Sequence, residues 1–471
     1  MSILGPNGRP IGGQNDYDAA KDKGRRKPAS QLLTSEDAKL PQPARNKVTG
    51  GARSAVRNFS IASWMIRCHL DYVSRFSFHS QTNDEALDAE IEDFVEWWSK
   101  PRNCDVAGRR DLWRLLRAWE ARRALDGDVV VLKRDTGHIQ TIEGDRIRTP
   151  WPKELPKSVS PREFTHGVDT DTDGKHRAYC ICSRQGLGAY RYKRILKAKF
   201  CEFHAYYCGE RLDQVRGVSL LAPAINTLRD LYEAFTYALA KMKVAQLFGL
   251  VTYREMPESM GDVFSRDADG DGVPEKSSYE VDFSKGPIHL DLDPGDRAEW
   301  LENKTPTPEF AEFSLKLIQT ALRGLDIPFS FFDESYTTYG GQRQAILQYD
   351  KSAEQKRDGN RTLASNLIRW RIRKAVLDGT LSLPSGMTVS DLKFGLKSAG
   401  VPWIDPLKEV QADLNAISGG LASRQEVCKR RGKDFFDIAD ELAAENEYLK
   451  KKGLPTEIET GNVTINEIAG E

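Results

Sequence analysis

The residues of this chain best suited to chemistry are carboxylates and thiols. Asp169, Asp171 and Asp173 lead into Gly174, and Asp267, Asp269 and Asp271 lead into Gly272. Alternate oxygen ligands followed by a glycine turn are how a calcium loop opens, and such a loop closes on a bidentate glutamate at its twelfth position. Here those positions are Cys180 and Ser278, with Glu280 two residues late in the second loop. A hairpin turn accounts better for the first loop, since Asp and Gly supply turn geometry without a metal. The second leaves Asp267, Asp269 and Asp271 as weak calcium candidates. Cys180 and Cys182, taken with Cys201, His204 and Cys208, suggest zinc, but the paired C-x2-C spacing of structural zinc sites is missing. Two cysteines at i and i+2 belong on one face of a strand, as small buried residues. No nucleophile–base pair, phosphate loop or dinucleotide fingerprint occurs. The chain is therefore expected to be no enzyme and to carry no cofactor. A calcium-dependent hydrolase or binding protein built on the Asp-Gly loops is the alternative.

Composition sets further bounds. At 471 residues the chain is long enough for two to four domains. Hydrophobic residues make up 39% and charged residues 29%, and no stretch approaches the roughly 20 apolar residues of a membrane span. No membrane partner is expected, and the first residues lack the apolar core of a signal peptide. Lys plus Arg equals Asp plus Glu at 69 each, so any contact with nucleic acid must be local. Seven cysteines, an odd number over a long chain, fit a reducing compartment better than a disulfide framework.

The elements that must position these residues follow from period and caps. Residues 1 to about 50 are polar, and over 1–60 eleven Lys or Arg stand against five acids. This stretch reads as a flexible basic arm. Phe59, Ile61, Trp64, Met65, Cys68 and Tyr72 keep helical spacing, and a second helix from Asn83 to Ser99 ends in Trp97 and Trp98. A third helix, Leu112 to Ala124, leads through Gly127 into the buried strand Val129–Leu132, and 140–202 reads as sheet and turns. The chain's landmark is Cys201–Val244: an aromatic strand, a loop framed by Gly209 and Gly217, and a long helix. Ser219 is its expected N-cap, and Ile225, Leu228, Leu231, Tyr232, Phe235, Leu239 and Met242 form one apolar stripe. From Arg254 to Lys304, fourteen acids outnumber six bases. Pro308 opens a helix ending at Gly324, and a basic helix with nine Lys or Arg runs from Gln342 to Leu377, with Gly359 the place for a kink. Ser423-x-x-Glu426 is a capping box.

Four blocks in order resemble the lambda-type phage portal proteins. They are Trp97, Trp98, Cys104, Asp105, Gly108 and Arg109; Phe203, His204, Tyr206 and Arg216 to Ile225; Ile327 to Arg343; and Trp403 to Gly432. The resemblance implies an α+β, mainly helical, portal-type fold with wing, stem, clip and crown-like regions, assembled as a ring. Mapped on this chain it gives an N-terminal arm (1–53), wing (54–216), first stem helix (217–245), clip (246–306) and second stem helix (307–324). A bend and tunnel loop (325–341), a long basic helix with wing return (342–400), a crown-like helical region (401–455) and a loose acidic tail (456–471) follow. The family usually has Asn-Tyr-Ser-Ser-x-Arg where this chain has Thr338-Tyr339-Gly340-Gly341-Gln342-Arg343. The two glycines loosen that segment. By resemblance, Tyr336, Thr337, Thr338, Tyr339, Gly340 and Gly341 form the tunnel loop. Lys241, Lys243 and Arg343 lie near DNA, and Asp267, Asp269 and Asp271 belong to an acidic docking clip. The implied partners are other copies in a ring of twelve, double-stranded DNA, the terminase motor, the major capsid protein and neck or tail adaptors. The implied location is the capsid portal vertex of a virion, with host cytoplasm during assembly. A non-portal neck ring adaptor is the second alternative.

Overall fold

A computed structural model describes residues 34–82, 84–155, 160, 163–207, 209, 211–247, 250–254, 296–300, 307–335, 338–398 and 406–453. In chain order the first elements are α1 (Glu36–Lys39), α2 (Gln42–Asn58), α3 (Ser60–Val73), β1 (Phe76–Ser80), α4 (Glu85–Ser99), α5 (Pro101–Cys104) and α6 (Leu112–Asp126). Strands β2 (Asp128–Lys133), β3 (Ile139–Glu143), β4 (Phe164–Thr165), β5 (Val168–Thr170), β6 (His176–Arg184), β7 (Tyr190–Lys197) and β8 (Cys201–Ala205) follow. Then come α7 (Ile225–Leu247), β9 (Leu250–Arg254), β10 (Asp296–Trp300), α8 (Pro308–Leu322), α9 (Tyr339–Leu377) and β11 (Phe394–Ser398), and finally α10 (Pro406–Ser418), α11 (Arg424–Arg430) and α12 (Phe435–Lys452).

The helix ends obey local chemistry. Asp84 caps α4 by accepting from the amides of Ala86 and Leu87, Asp111 caps α6 through Arg114, and Thr307 caps α8 through Phe310. Gly127 closes α6 at φ +94°, where a side chain would be strained and would meet the backbone of Gly217 at 2.5 Å. Strand β2 then runs at the centre of an antiparallel sheet ordered β3-β2-β8. Its alternation divides two cores: Val129 and Val131 join a cluster with α4, α6 and the second half of α9, while Val130 and Leu132 face β6 and β7. A separate sheet is ordered β4-β5-β6-β7, and β1 pairs with β11.

Three expected boundaries differ in the structure. The arm assigned to 1–53 contains α1 and most of α2, and the latter is packed, with Ala52 and Ala55 buried among α3, α7 and α8. Its basic residues conceal this, because Arg45 and Arg53 turn inward to acids of the fold. The long central helix begins at Ile225 rather than just after Ser219. Ser219 Oγ accepts from the Leu221 amide and donates to the Ala124 carbonyl, so it anchors a packed turn ahead of the helix. The helix α9 begins at Tyr339 and continues through Gly359, which sits against His204.

Candidate assembly surface and channel segments

The segment that positions α7 is a knot around Arg216. Its guanidinium donates to both oxygens of Asp128 at 2.6 and 2.8 Å and to the carbonyls of Ile147, His166 and Gly144 at 2.7–2.9 Å. Both side chains are buried. A planar fork matched to a carboxylate is the geometry in which an arginine tolerates burial. Asp37, from α1, accepts from the amides of Val215 and Arg216, and Arg45 donates to the Gly217 carbonyl at 2.5 Å. Burial, then the neighbouring Arg216, lowers the Arg45 pKa to about 10. Gly217 lies against the Gly127 carbonyl, where a Cβ has no room. The Arg216-Gly217 pair therefore locks the root of α7 rather than touching a ligand.

A second junction joins α3, α6, β8 and α9. His69 Nε2 lies 2.6 Å from Glu120 Oε1, Arg123 donates to both Glu120 oxygens at 2.8 Å, and His204 Nε2 meets Asn360 Oδ1 at 2.9 Å. Burial pushes both histidines below their ordinary pKa. For Glu120 burial acts upward, but Arg123 and the two histidines more than offset it and hold the carboxyl well below the usual range. His204 is thus occupied here and does not converge with Cys180, Cys182 and Cys201 on a metal. Cys208 lies outside the described residues. Among the described residues, Asp126, Glu143 and Asp145 stand close enough to hold a cation. Arg53 occupies that cluster at 2.6–3.2 Å, and Arg184 reaches Glu143 and Asp145 from the other side.

The first Asp-Gly loop is a hairpin between β5 and β6. Asp171 Oδ1 accepts from the amides of Asp173 and Lys175 at 3.1 and 2.7 Å, and Asp169 pairs with Arg177 across the strands. Asp267, Asp269 and Asp271 lie outside the described residues. The window that contains them is flanked by a pair of antiparallel strands, β9 against β10, with Arg254 opposite Asp296 and Leu250 opposite Trp300. Those strands in turn connect α7 and α8.

Helices α7 and α8 change character along their length. At the root, Ile225, Leu228, Leu231, Ile318, Ala321 and Leu322 are buried in one cluster. Gly324 allows this approach, since a Cβ there would stand 3.2 Å from that of Ala224. Farther out, Tyr232 stacks on Phe59 and Phe235 meets Phe310 edge-on, but both stay partly open. Tyr237 is 72% exposed, Phe313 56% and Leu239 51%. The apolar stripe read from the sequence is therefore core only as far as Leu231. Lys241 and Lys243 are exposed on the same helix. Of the candidate tunnel loop, Thr338 caps α9 by accepting from Gly341, and Tyr339, Gly340 and Gly341 form its first turn. Tyr336 and Thr337 lie outside the described residues. Arg343 is exposed one turn along. Farther down α9, basic residues are engaged within the chain: Arg357 with Asp350, Glu354 and the Tyr72 carbonyl, Lys356 with Asp326, and Arg361 with Glu354. Helices α10 and α12 bury no residue and expose Leu407, Leu414, Phe436 and Tyr448.

Buried polar knots made within one chain thus stand beside helices whose outer aromatic faces are uncovered. The model of the phage portal protein, lambda family, matches residues 23–357, and the chain belongs to that family. A probable portal protein of Halomonas phage phiHAP-1 is 25% identical over 399 residues, covering 79% of this chain and 73% of that protein. Two solved structures from the neck of gene transfer agent particles are also similar, each at 13% identity. The neck of the empty particle, computed with C6 symmetry, covers 85% of this chain and 94% of its own with a TM-score of 0.48. The neck of the native particle, computed with C12 symmetry, covers 83% and 94% with a TM-score of 0.46. The protein is a structural portal protein of a phage particle.

Proposed function

We propose that copies of this chain close head to tail into a ring, dodecameric as the family implies, at one vertex of a phage capsid. In this reading α7 and α8 are the stem helices that wall the passage, and 246–306 is the clip. The observation that carries it is the outer half of the α7–α8 pair. Tyr237, Leu239 and Phe313 are open to water in the single chain, and a head-to-tail ring supplies each with a neighbouring copy of the same helices. Residues 336–341 would form the tunnel loop, with Lys241, Lys243 and Arg343 on the path of double-stranded DNA.

A passage must let DNA move. Tight phosphate contacts release counterions and hold the duplex, and a chain with 69 acids and 69 bases avoids a uniformly gripping bore. The ring would serve packaging, tail attachment and ejection. The terminase motor and the neck or tail adaptors dock on the acidic 246–306 segment, where charge sets encounter and register, and the major capsid protein holds the ring's outside. Among the described residues no helix is long and apolar enough to cross a membrane. Native mass spectrometry and negative-stain images down the particle axis test the reading. A particle near twelve copies of the 53.0 kDa chain with a central hole is the expected outcome. Monomers at high concentration would end it.

A further inference from the structure

We propose that the edge of the four-stranded sheet, at β7, is a contact for the phosphate backbone of double-stranded DNA, separate from the α7–α8 passage. The inference rests on the portal reading for the presence of DNA. From Tyr190 to Phe200 the chain carries Arg191, Lys193, Arg194, Lys197 and Lys199 and no acid, in a protein whose formal net charge is zero. β7 ends the sheet order β4-β5-β6-β7. A register shift between Ile181 and Cys182 of β6 leaves Lys193 without a partner residue between Tyr192 and Arg194, a bulge that re-aims its side chain.

Lysines on an edge strand have a simpler use, which is to discourage another strand from pairing there. Two observations exceed that use. Cations from two different sheets converge: Lys133 and Arg134 at the end of β2, with Arg194 and Lys197 of β7, line one cleft of about 300 Å³ together with Phe200. Edge protection needs charges spread in open water, not gathered around a recess. In addition, Arg194 Nε is buried without a hydrogen-bond partner, although its Nη2 reaches Gln140 at 3.3 Å. Asp135 is an acid on the cleft wall, and Lys133 is already paired with Glu202 at 2.5 Å, so the open positive charge lies with Arg134 and the β7 cations. These run along a strand roughly 25 Å long at about 3.3 Å per residue. That length suits a continuous polyanion, one negative charge per roughly 3.4 Å of axis on each strand of a duplex, better than a single acidic side chain. The exposed ring of Phe200, 45% open, with the Lys199 ammonium 4.9 Å from its centroid, adds a face for sugar contacts.

The test uses the full-length protein and a short blunt duplex of mixed sequence, with binding followed by fluorescence anisotropy over a salt series. Arg191, Lys193 and Lys197 are all exposed, so the triple variant Arg191→Ala/Lys193→Ala/Lys197→Ala should keep its melting temperature and assembly mass. It should bind at least about tenfold more weakly, with the slope of log K against log salt shallower by about one for each cation removed. Three results would overturn the inference: an unchanged slope and affinity in the triple variant, the same loss produced instead by Lys241→Ala/Lys243→Ala, or binding of a poly-glutamate peptide but not of the duplex. Mass is read separately. A chain that stays monomeric yet loses DNA binding in the triple variant refutes the ring and leaves the β7 contact standing.

Discussion

The junction around Glu120 and the outer half of the α7–α8 pair are built on opposite terms. At the junction, partners from four elements meet inside one chain, and the carboxylate of Glu120 has Arg123 and His69 in hydrogen-bond range. Along α7 beyond Leu231, large apolar side chains remain in water. The contacts of the first region are made within one chain, whereas the second leaves its apolar side chains uncovered. Stability and assembly should accordingly respond to different residues.

The largest effect is expected at the knot beside that junction. Arg216→Met leaves Asp128 buried and unpaired, which costs about 3–5 kcal/mol, and Arg216→Lys should recover little because an ammonium lacks the fork. Urea denaturation of the soluble chain measures both, and a loss under about 1 kcal/mol would mean that the knot is not structural.

A smaller effect should follow acidification. His69 and His204 have folded pKa values below the ordinary 6.5, so as pH falls through 6.5 the unfolded chain takes up protons that the folded chain refuses. Stability should fall by at most about 1.4 kcal/mol per pH unit for each histidine. Glu120, held below 4.5 when folded, contributes stability above that pH and loses it as pH drops further. Melting temperatures from pH 7 to pH 4 should decline in that order and flatten in a His69→Asn/His204→Asn variant of sufficient stability. An equal decline in the variant would place the sensitivity elsewhere.

The smallest effect on folding is expected where the effect on assembly is greatest. Tyr237→Glu/Phe313→Glu should shift monomer stability by no more than about 0.5 kcal/mol, as exposed positions do, while abolishing the ring in sedimentation. Intact rings with this pair would remove the contrast between the two regions.

Much of the fold was legible because its signals are local. Ser423 is a cap visible in sequence, Pro308 marks the first turn of α8, and the hairpin at Asp171 declares itself through Asp and Gly. What was hidden depends on distance along the chain. Nothing near Arg45 announces Asp37 and Gly217 as its partners, so α2 read as a solvated arm. Glu120 meets residues far away on α3 and β8, although an acid set between Trp119 and Ala121 in a helix that carries four arginines was a signal worth weighing. The stripe on α7 is continuous in sequence, and periodicity does not distinguish a core from a surface awaiting a neighbour. The β7 run escaped notice, yet five cations without an acid in eleven residues was readable.

The antiparallel pairing of β9 with β10 has a consequence for how this protein can change. Because Arg254 and Asp296 are paired across the two strands, the chain leaves β9 and re-enters β10 at one place. A segment of different length or charge between those two ends would leave the ends of α7 and α8 where they are, as long as the strand pair forms.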